Sequence, residues 1–191
     1  AGIGRYGWVE RGPSNIGGRT RSLVINPADG NEMWAGSVGG GVWHSTNGGT
    51  SWAPVDDRLS NLAVCCLAIV PGSPVTLYAG TGEGIYNGDA IVGNGIYKSV
   101  DGGVTFARLA STQTWSYVNR IAVSPSNPQL LLAATRSPGG VYRSTNGGVS
   151  WSIVLSATAC MQVLFDPNDP NKCVADVYDG GSHRVAYSTN A

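Results

Sequence analysis

The sequence predicts an all-β fold: a β-propeller of four-stranded antiparallel blades, with about four blades in this chain. Three observations predict it. A Gly-Gly octet recurs along the chain, the recurrence has the length of a blade, and each copy follows the same succession of short strand-like runs. The octets are Ser45–Trp52, Ser99–Phe106 and Ser144–Trp151, and a further one opens at Ser188-Thr189-Asn190. Measured at the Asn or Asp they lie at 47, 101, 146 and 190, in steps of 54, 45 and 44 residues. One four-stranded blade takes a little over ~40 residues, and the loop between Gly82 and Gly93 absorbs the longer first step.

Each octet reads as a hairpin corner. An Asn or Asp before Gly favours positive φ and accepts bonds from nearby backbone N–H groups, and the paired glycines carry angles other residues resist. Ser and Thr on either side tie the arms, and the closing aromatic anchors the return strand. The structural set is Ser45, Asn47, Gly49 and Trp52; Ser99, Asp101, Gly103 and Phe106; Ser144, Asn146, Gly148 and Trp151; and Ser188 with Asn190. Alternating runs precede the octets at Gly41–His44, Gly95–Lys98, Gly140–Arg143 and Arg184–Tyr187. Inner strands read at Ser22–Ile25, Cys66–Val70, Arg120–Val123 and Gln162–Phe165. After a Pro-containing turn come second strands at Glu32–Gly36, Thr76–Gly80, Leu130–Ala134 and Cys173–Asp176.

The repeats therefore cover roughly 19–55, 62–109, 118–155 and 160–191, within a single unit over 1–191. Residues 5–11, with Tyr6-Gly7-Trp8-Val9-Glu10, read as a ring-closing strand. Units of this kind bury their faces against neighbours. Three arrangements satisfy that: four units closing on themselves, another copy of the chain completing the ring, or the remaining blades of a longer protein. The third is favoured, because the last octet is severed at Asn190-Ala191.

The octets resemble the Asp-box, or BNR, repeat of sialidases, xyloglucan-cleaving glycoside hydrolases and sortilin-type (VPS10) receptors. The phrases Gly12–Arg21 and Gly80-Thr81-Gly82-Glu83 resemble bacterial secreted proteins of the VPS10-domain or glycosyl-hydrolase-like kind. The resemblance implies a propeller and a secreted or cell-surface setting. It implies little about function, since the octet is a structural turn in that family.

Composition narrows the classes further. Charged residues are 13% and glycines number 28, which suits short strands joined by tight turns. Lys+Arg and Asp+Glu are 12 each, so no charge excess points to nucleic acid or anionic membranes. The longest apolar run, Leu62–Val70, is too short to span a bilayer. Cys65, Cys66, Cys160 and Cys173 form no C-x-x-C pattern, and His44 and His183 are the two histidines, so a zinc site is not expected. The cysteines read as buried thiols, or as a Cys160–Cys173 bridge. No cofactor is called for; Ca²⁺ is the one metal whose oxygen ligands the acidic loop offers, without EF-type spacing.

For chemistry, the richest stretch is the Gly82–Asp89 loop. Glu83 and Asp89 are candidate catalytic carboxylates, since glycosidases use a facing pair roughly 5–10 Å apart. Glu83, Tyr86, Asn87 and Asp89 also suit sugar binding, with an aromatic platform beside carboxylate and amide groups. Arg19, Arg21 and Arg120, at the starts of inner strands, are candidate ligands for a substrate carboxylate, which the planar guanidinium fork pairs bidentately. The sialidase Phe-Arg-Ile-Pro signature is absent, and bracing of loops is the simpler role for these arginines. Trp115 and Tyr117 are candidates to face a ligand. Asp56, Asp57, Asp166 and Asp169 read as turn residues, and Trp34, Trp43, Trp52 and Trp151 as blade packing. The function expected is a non-catalytic module for carbohydrate or protein binding and scaffolding. The alternatives are part of a sialidase-like or xyloglucanase-like glycoside hydrolase, or a self-assembling structural protein.

Overall fold

Alternating runs of Val, Ile, Leu and Tyr, broken by Gly, Pro and Asn corners, fold among the described residues as fifteen strands in four antiparallel sheets. The computed structural model describes residues 11–12, 19–55 and 59–191. The strand expected over 5–11 (Arg11 apart), the phrase 13–18 and the turn at Asp56-Asp57 lie outside the described residues.

The first blade runs β1 (Arg19–Asn26), β2 (Asp29–Val38), β3 (Gly41–Ser45) and β4 (Ala53–Pro54), hydrogen-bonded in that order. The second repeats it with β5 (Val64–Val70), β6 (Thr76–Thr81), β7 (Ile96–Ser99) and β8 (Ala107–Arg108). The third is β9 (Tyr117–Val123), β10 (Leu131–Ser137), β11 (Gly139–Ser144) and β12 (Ser152–Leu155). The fourth has three strands, β13 (Val163–Phe165), β14 (Cys173–Asp179) and β15 (Ser182–Ser188). A short 3-10 turn at Ala110–Thr112 joins the second blade to the third. The apolar run before Val70 is strand β5.

Register repeats from blade to blade. Leu23 faces Ala35, Leu67 faces Ala79, Ile121 faces Ala133 and Val163 faces Ala175 across the first two strands. The inner strands β1, β5, β9 and β13 follow one another side by side. The core lies between blades. One cluster joins Trp34 and Val42 of the first blade to Leu67, Leu77 and Tyr97 of the second. A second joins Ala68, Tyr78 and Ile96 to Trp115, Ile121 and Leu131. A third joins Leu132 and Val141 to Val163, Ala175 and Val177.

The octets connect the third strand to the fourth in the first three blades, and their bonding is the same in each. Ser45 Oγ accepts from Gly49 N (2.9 Å) and donates to Asn47 Oδ1 (3.0 Å), which accepts from Ser51 N (2.9 Å). Ser144, Asn146, Gly148 and Ser150 reproduce this at 2.9, 3.0 and 2.9 Å. In the second blade Asp101 stands in for Asn and also accepts from Thr105 Oγ1 at 2.6 Å. The fourth begins alike, with Ser188 Oγ donating to Asn190 Oδ1 at 2.9 Å.

Two expectations are corrected. Cys160 and Cys173 are free thiols, as are Cys65 and Cys66. Burial pushes Cys65 and Cys66 up to about 12 and Cys160 up to about 11, so these thiols are protonated and unreactive at neutral pH. Trp115 does not face a ligand. It is 5% exposed, and its ring packs on Tyr142 (4.6 Å) and on Trp151 (5.5 Å), the aromatic that closes the third octet.

Candidate functional site

The loop that lengthens the second repeat, between β6 and β7, is tied down along its backbone. Gly82 N donates to Ala63 O (2.9 Å), Glu83 N to Ile91 O (2.9 Å) and Gly93 N to Ser116 O (2.8 Å). Gly82 sits at φ +92°, and a Cβ there would fall 2.0 Å from the Ser116 carbonyl oxygen. Only glycine permits so close a crossing of loop and chain.

This path carries Glu83 inside, to 1% exposure. Five N–H donors converge on its two oxygens: Arg19 Nε (3.1 Å) and Nη2 (2.5 Å), Arg21 Nε (3.2 Å) and Nη2 (2.7 Å), and Asn87 Nδ2 (2.8 Å). Burial raises the Glu83 pKa, but the hydrogen bonds from Arg19, Asn87 and Arg21 outweigh it and hold the carboxyl below its ordinary range. Glu83 is therefore ionised at neutral pH, with no proton to give. It fastens the loop of the second blade to β1 of the first.

Asp89 lies on the outer side of the same cluster. Arg19 Nη1 donates to it at 2.8 Å and Asn87 Nδ2 at 2.7 Å, while its side chain stays 70% exposed. Those bonds from Asn87 and Arg19 lower its pKa, so it presents an ionised carboxylate to solvent. Glu83 and Asp89 thus come together through Arg19 and Asn87, as do Arg19 and Arg21 through Glu83. Arg120 does not join them. It lines a separate cavity of about 310 Å³ between the inner strands, with Val24, Leu67, Ile121 and Leu164. A convergent set of Arg19, Arg21 and Arg120 is therefore not formed, because Glu83 takes the first two.

Between Glu83 and Asp89 the loop exposes Tyr86, held at φ +60° and 49% accessible. That left-handed backbone is strained for a non-glycine residue, and strain of this kind concentrates at functional sites. The Arg136 guanidinium lies over the Tyr86 ring at 3.9 Å and over Tyr117 at 4.8 Å. Tyr178 meets Tyr86 edge-on at 5.6 Å and in turn packs against His183 at 4.9 Å. Next to Glu83 is a cavity of about 300 Å³, lined also by Arg21, Cys65, Asn119, Met161 and Gln162. Four blades thus contribute to one surface.

Sequence reasoning missed Arg136, Tyr178 and His183. The repeat itself holds the signal. The Gly82–Gly93 loop joins the second and third strands of its blade; Arg136 and the Tyr178–His183 pair stand at the same join in the next two blades. Aligned repeats therefore place all of them at one end of the propeller. Among the described residues no group of three or more His, Cys, Asp or Glu is arranged to hold a metal ion, and no helix is long and apolar enough to cross a membrane.

Comparison with known proteins separates the functional classes. No protein-family model matches the chain. It is 28% identical over 189 residues to the xyloglucanase of Hypocrea jecorina, covering 87% of this chain and 21% of the relative. It is 27% identical over 176 residues to xyloglucanase Xgh74A of Acetivibrio thermocellus, covering 85% and 21%. Among solved structures it superposes on an ancestral GH74 enzyme with a TM-score of 0.74 and 27% identity, over 92% of this chain and 23% of that one. The chain thus spans about a fifth of the length of the curated relatives it matches. The fold is that of a β-propeller, similar to the propeller of a GH74 enzyme. The expectation of a non-catalytic binding or scaffold module is overturned, because the relatives are named for an enzymatic activity, and the comparisons favour the glycoside-hydrolase alternative.

Proposed function

We propose that this chain is part of a secreted β-propeller glycoside hydrolase that cleaves a xyloglucan-type polysaccharide. Its share of the work is to grip the sugar chain at the 82–93 loop and to present a base. On this reading 1–191 is one continuous stretch of the propeller, its octets are Asp-box repeats, and secretion follows from a polymer met outside the cell. The observation that carries the proposal is the likeness to xyloglucanases across most of the chain.

The local chemistry supports it. A half-exposed tyrosine ring offers an apolar face to a pyranose, and carboxylate and amide groups beside it accept and donate to hydroxyls. Asp89, ionised and open to solvent, suits the base that activates water in an inverting hydrolysis. A general acid needs a raised pKa. Glu83, Asp89, Asp101, Asp169 and Asp179 are all displaced downward, so none of these five is suited to that role.

The test is release of reducing ends from xyloglucan by the protein that carries these blades. Release is expected, falling about 10²–10⁴-fold in Asp89→Asn, the usual weight of a general base. Tyr86→Ala is expected to raise KM with kcat little changed, the mark of binding shared by ground and transition states. Absence of release, or parental rates in both variants, overturns the proposal.

A further inference from the structure

Arg136 stands on a corner that the fold fixes from several sides. It pairs with Gly139 at the tip of the β10–β11 hairpin, where Thr135 Oγ1 donates to Gly140 O at 3.1 Å. Thr135 O accepts from Cys160 N at 2.9 Å, and Ser137 O accepts from Ser116 N at 2.7 Å. A Cβ on Gly139 would fall 2.3 Å from the Ala157 carbonyl oxygen, so the hairpin lies directly on the segment that follows β12. The backbone that carries Arg136 is therefore held by its neighbours in the chain before and after it.

The Arg136 side chain is spent differently from the other arginines of this face. Arg19 and Arg21 are taken by Glu83, and Arg184 by Asp179 at 2.8 Å. Among the described residues the Arg136 guanidinium makes no hydrogen bond or ion pair; it lies over two rings, Tyr86 at 3.9 Å and Tyr117 at 4.8 Å. A guanidinium is drawn to an aromatic face by the ring quadrupole and packs there by its own flat surface. Tyr86 is the opposite case, a loop residue at φ +60°. Such a backbone persists only where its surroundings hold it. Asn87 fixes the chain next to it, through Glu83 at 2.8 Å and Asp89 at 2.7 Å. The ring is bounded by Arg136 and, edge-on, by Tyr178.

We propose that Arg136 is the positioning residue for Tyr86: reaching across from the third blade, it holds a strained loop tyrosine of the second in place as the platform for a sugar ring. The inference rests on the reading of the 82–93 loop as the grip on the polysaccharide. A fixed corner acting on a strained loop gives the direction of dependence, so Arg136 sets Tyr86 and not the reverse. Tyr117, opposite Ser137 on β9, gives the guanidinium its second ring. The arrangement therefore stands before a ligand arrives, and less ordering is left to be done on binding. Arg136 acts through the ring and not on the reacting atoms, so its loss is expected in binding rather than in the chemical step.

Two readouts on the protein that carries these blades test it. The first is hydrogen exchange followed by mass spectrometry. In Arg136→Ala, peptides spanning 84–92 are expected to exchange faster while β9, β10 and β11 keep parental rates, which also shows that the variant is folded. The second is a double-mutant cycle on xyloglucan hydrolysis. Arg136→Ala is expected to raise KM roughly 2–30-fold with kcat little changed, and to add nothing further in a Tyr86→Ala background. Arg136→Lys, which keeps the charge without the flat fork, is expected to regain part of the loss. Parental exchange across 84–92 in Arg136→Ala overturns the proposal, and so do KM effects of the two alanine substitutions that multiply. A parent that releases no reducing ends from xyloglucan refutes the hydrolase reading instead, and the hold of Arg136 on Tyr86 is then decided by the exchange measurement alone.

Discussion

Glu83 was legible as a chemical group and not as a partner. The loop that carries it stands out as an insertion, and its cluster of Glu, Tyr, Asn and Asp marks it as a site. What pairs with Glu83 comes from Arg19 and Arg21, more than sixty positions away in the chain, and local patterning holds no record of such a contact. The chemistry assigned to the arginines, a guanidinium fork on a carboxylate, is the right kind; the carboxylate is the protein's own. Removing that charge while keeping the shape, in Glu83→Gln, is expected to cost about 1–3 kcal/mol, because buried donors lose an ionised acceptor. A lower urea midpoint with unchanged slope checks it. The folded pKa of Glu83 is lowered, so its stabilisation is complete above the ordinary glutamate value near ~4.3 and is lost as pH falls through the lower folded value.

The octets are the elements the sequence describes best, since every part of their bonding is local. Ser, Asn or Asp, and two glycines at fixed offsets form the same corner wherever they occur. In Ser144→Ala the Gly148 N–H, buried with its partner, loses its acceptor, and a cost of about 1–2 kcal/mol is expected. That corresponds to a melting point lower by roughly 2–8 °C for a chain of this size. Gly148→Ala is expected to be as costly, about 1–3 kcal/mol, since the backbone sits at φ +90° and the new methyl would lie 2.7 Å from Leu109 Cδ1. The second octet alone titrates. Hydrogen bonds from the Thr105 hydroxyl and backbone N–H take Asp101 down from 3.8 to about 2. Its contribution is therefore present above pH ~4 and is lost as pH falls toward 2. Asp101→Asn, which copies the other two octets, is expected to flatten the stability profile over that window while leaving neutral-pH stability nearly unchanged. Acid unfolding followed by tryptophan fluorescence checks both halves.

For the molecule as a whole, the period of the octets and the Pro turns between strands were enough to specify a propeller, because each repeat carries its own strand signals. Function was not readable in the same way. The octet is a structural corner, and the acid that would complete a hydrolytic pair is not among the shifted carboxyls of these blades. The sequence therefore leans toward a binding module, a reading that only likeness to xyloglucanases corrected. The surface built by Tyr86, Tyr117, Arg136, Tyr178 and Asp89 draws on three blades, and no single repeat predicts it. The most direct test is migration through native gels cast with and without xyloglucan. The account predicts that the parent chain is retarded by the polysaccharide and that Tyr86→Ala runs at its polysaccharide-free mobility. Equal mobility of parent and variant in both gels would contradict it.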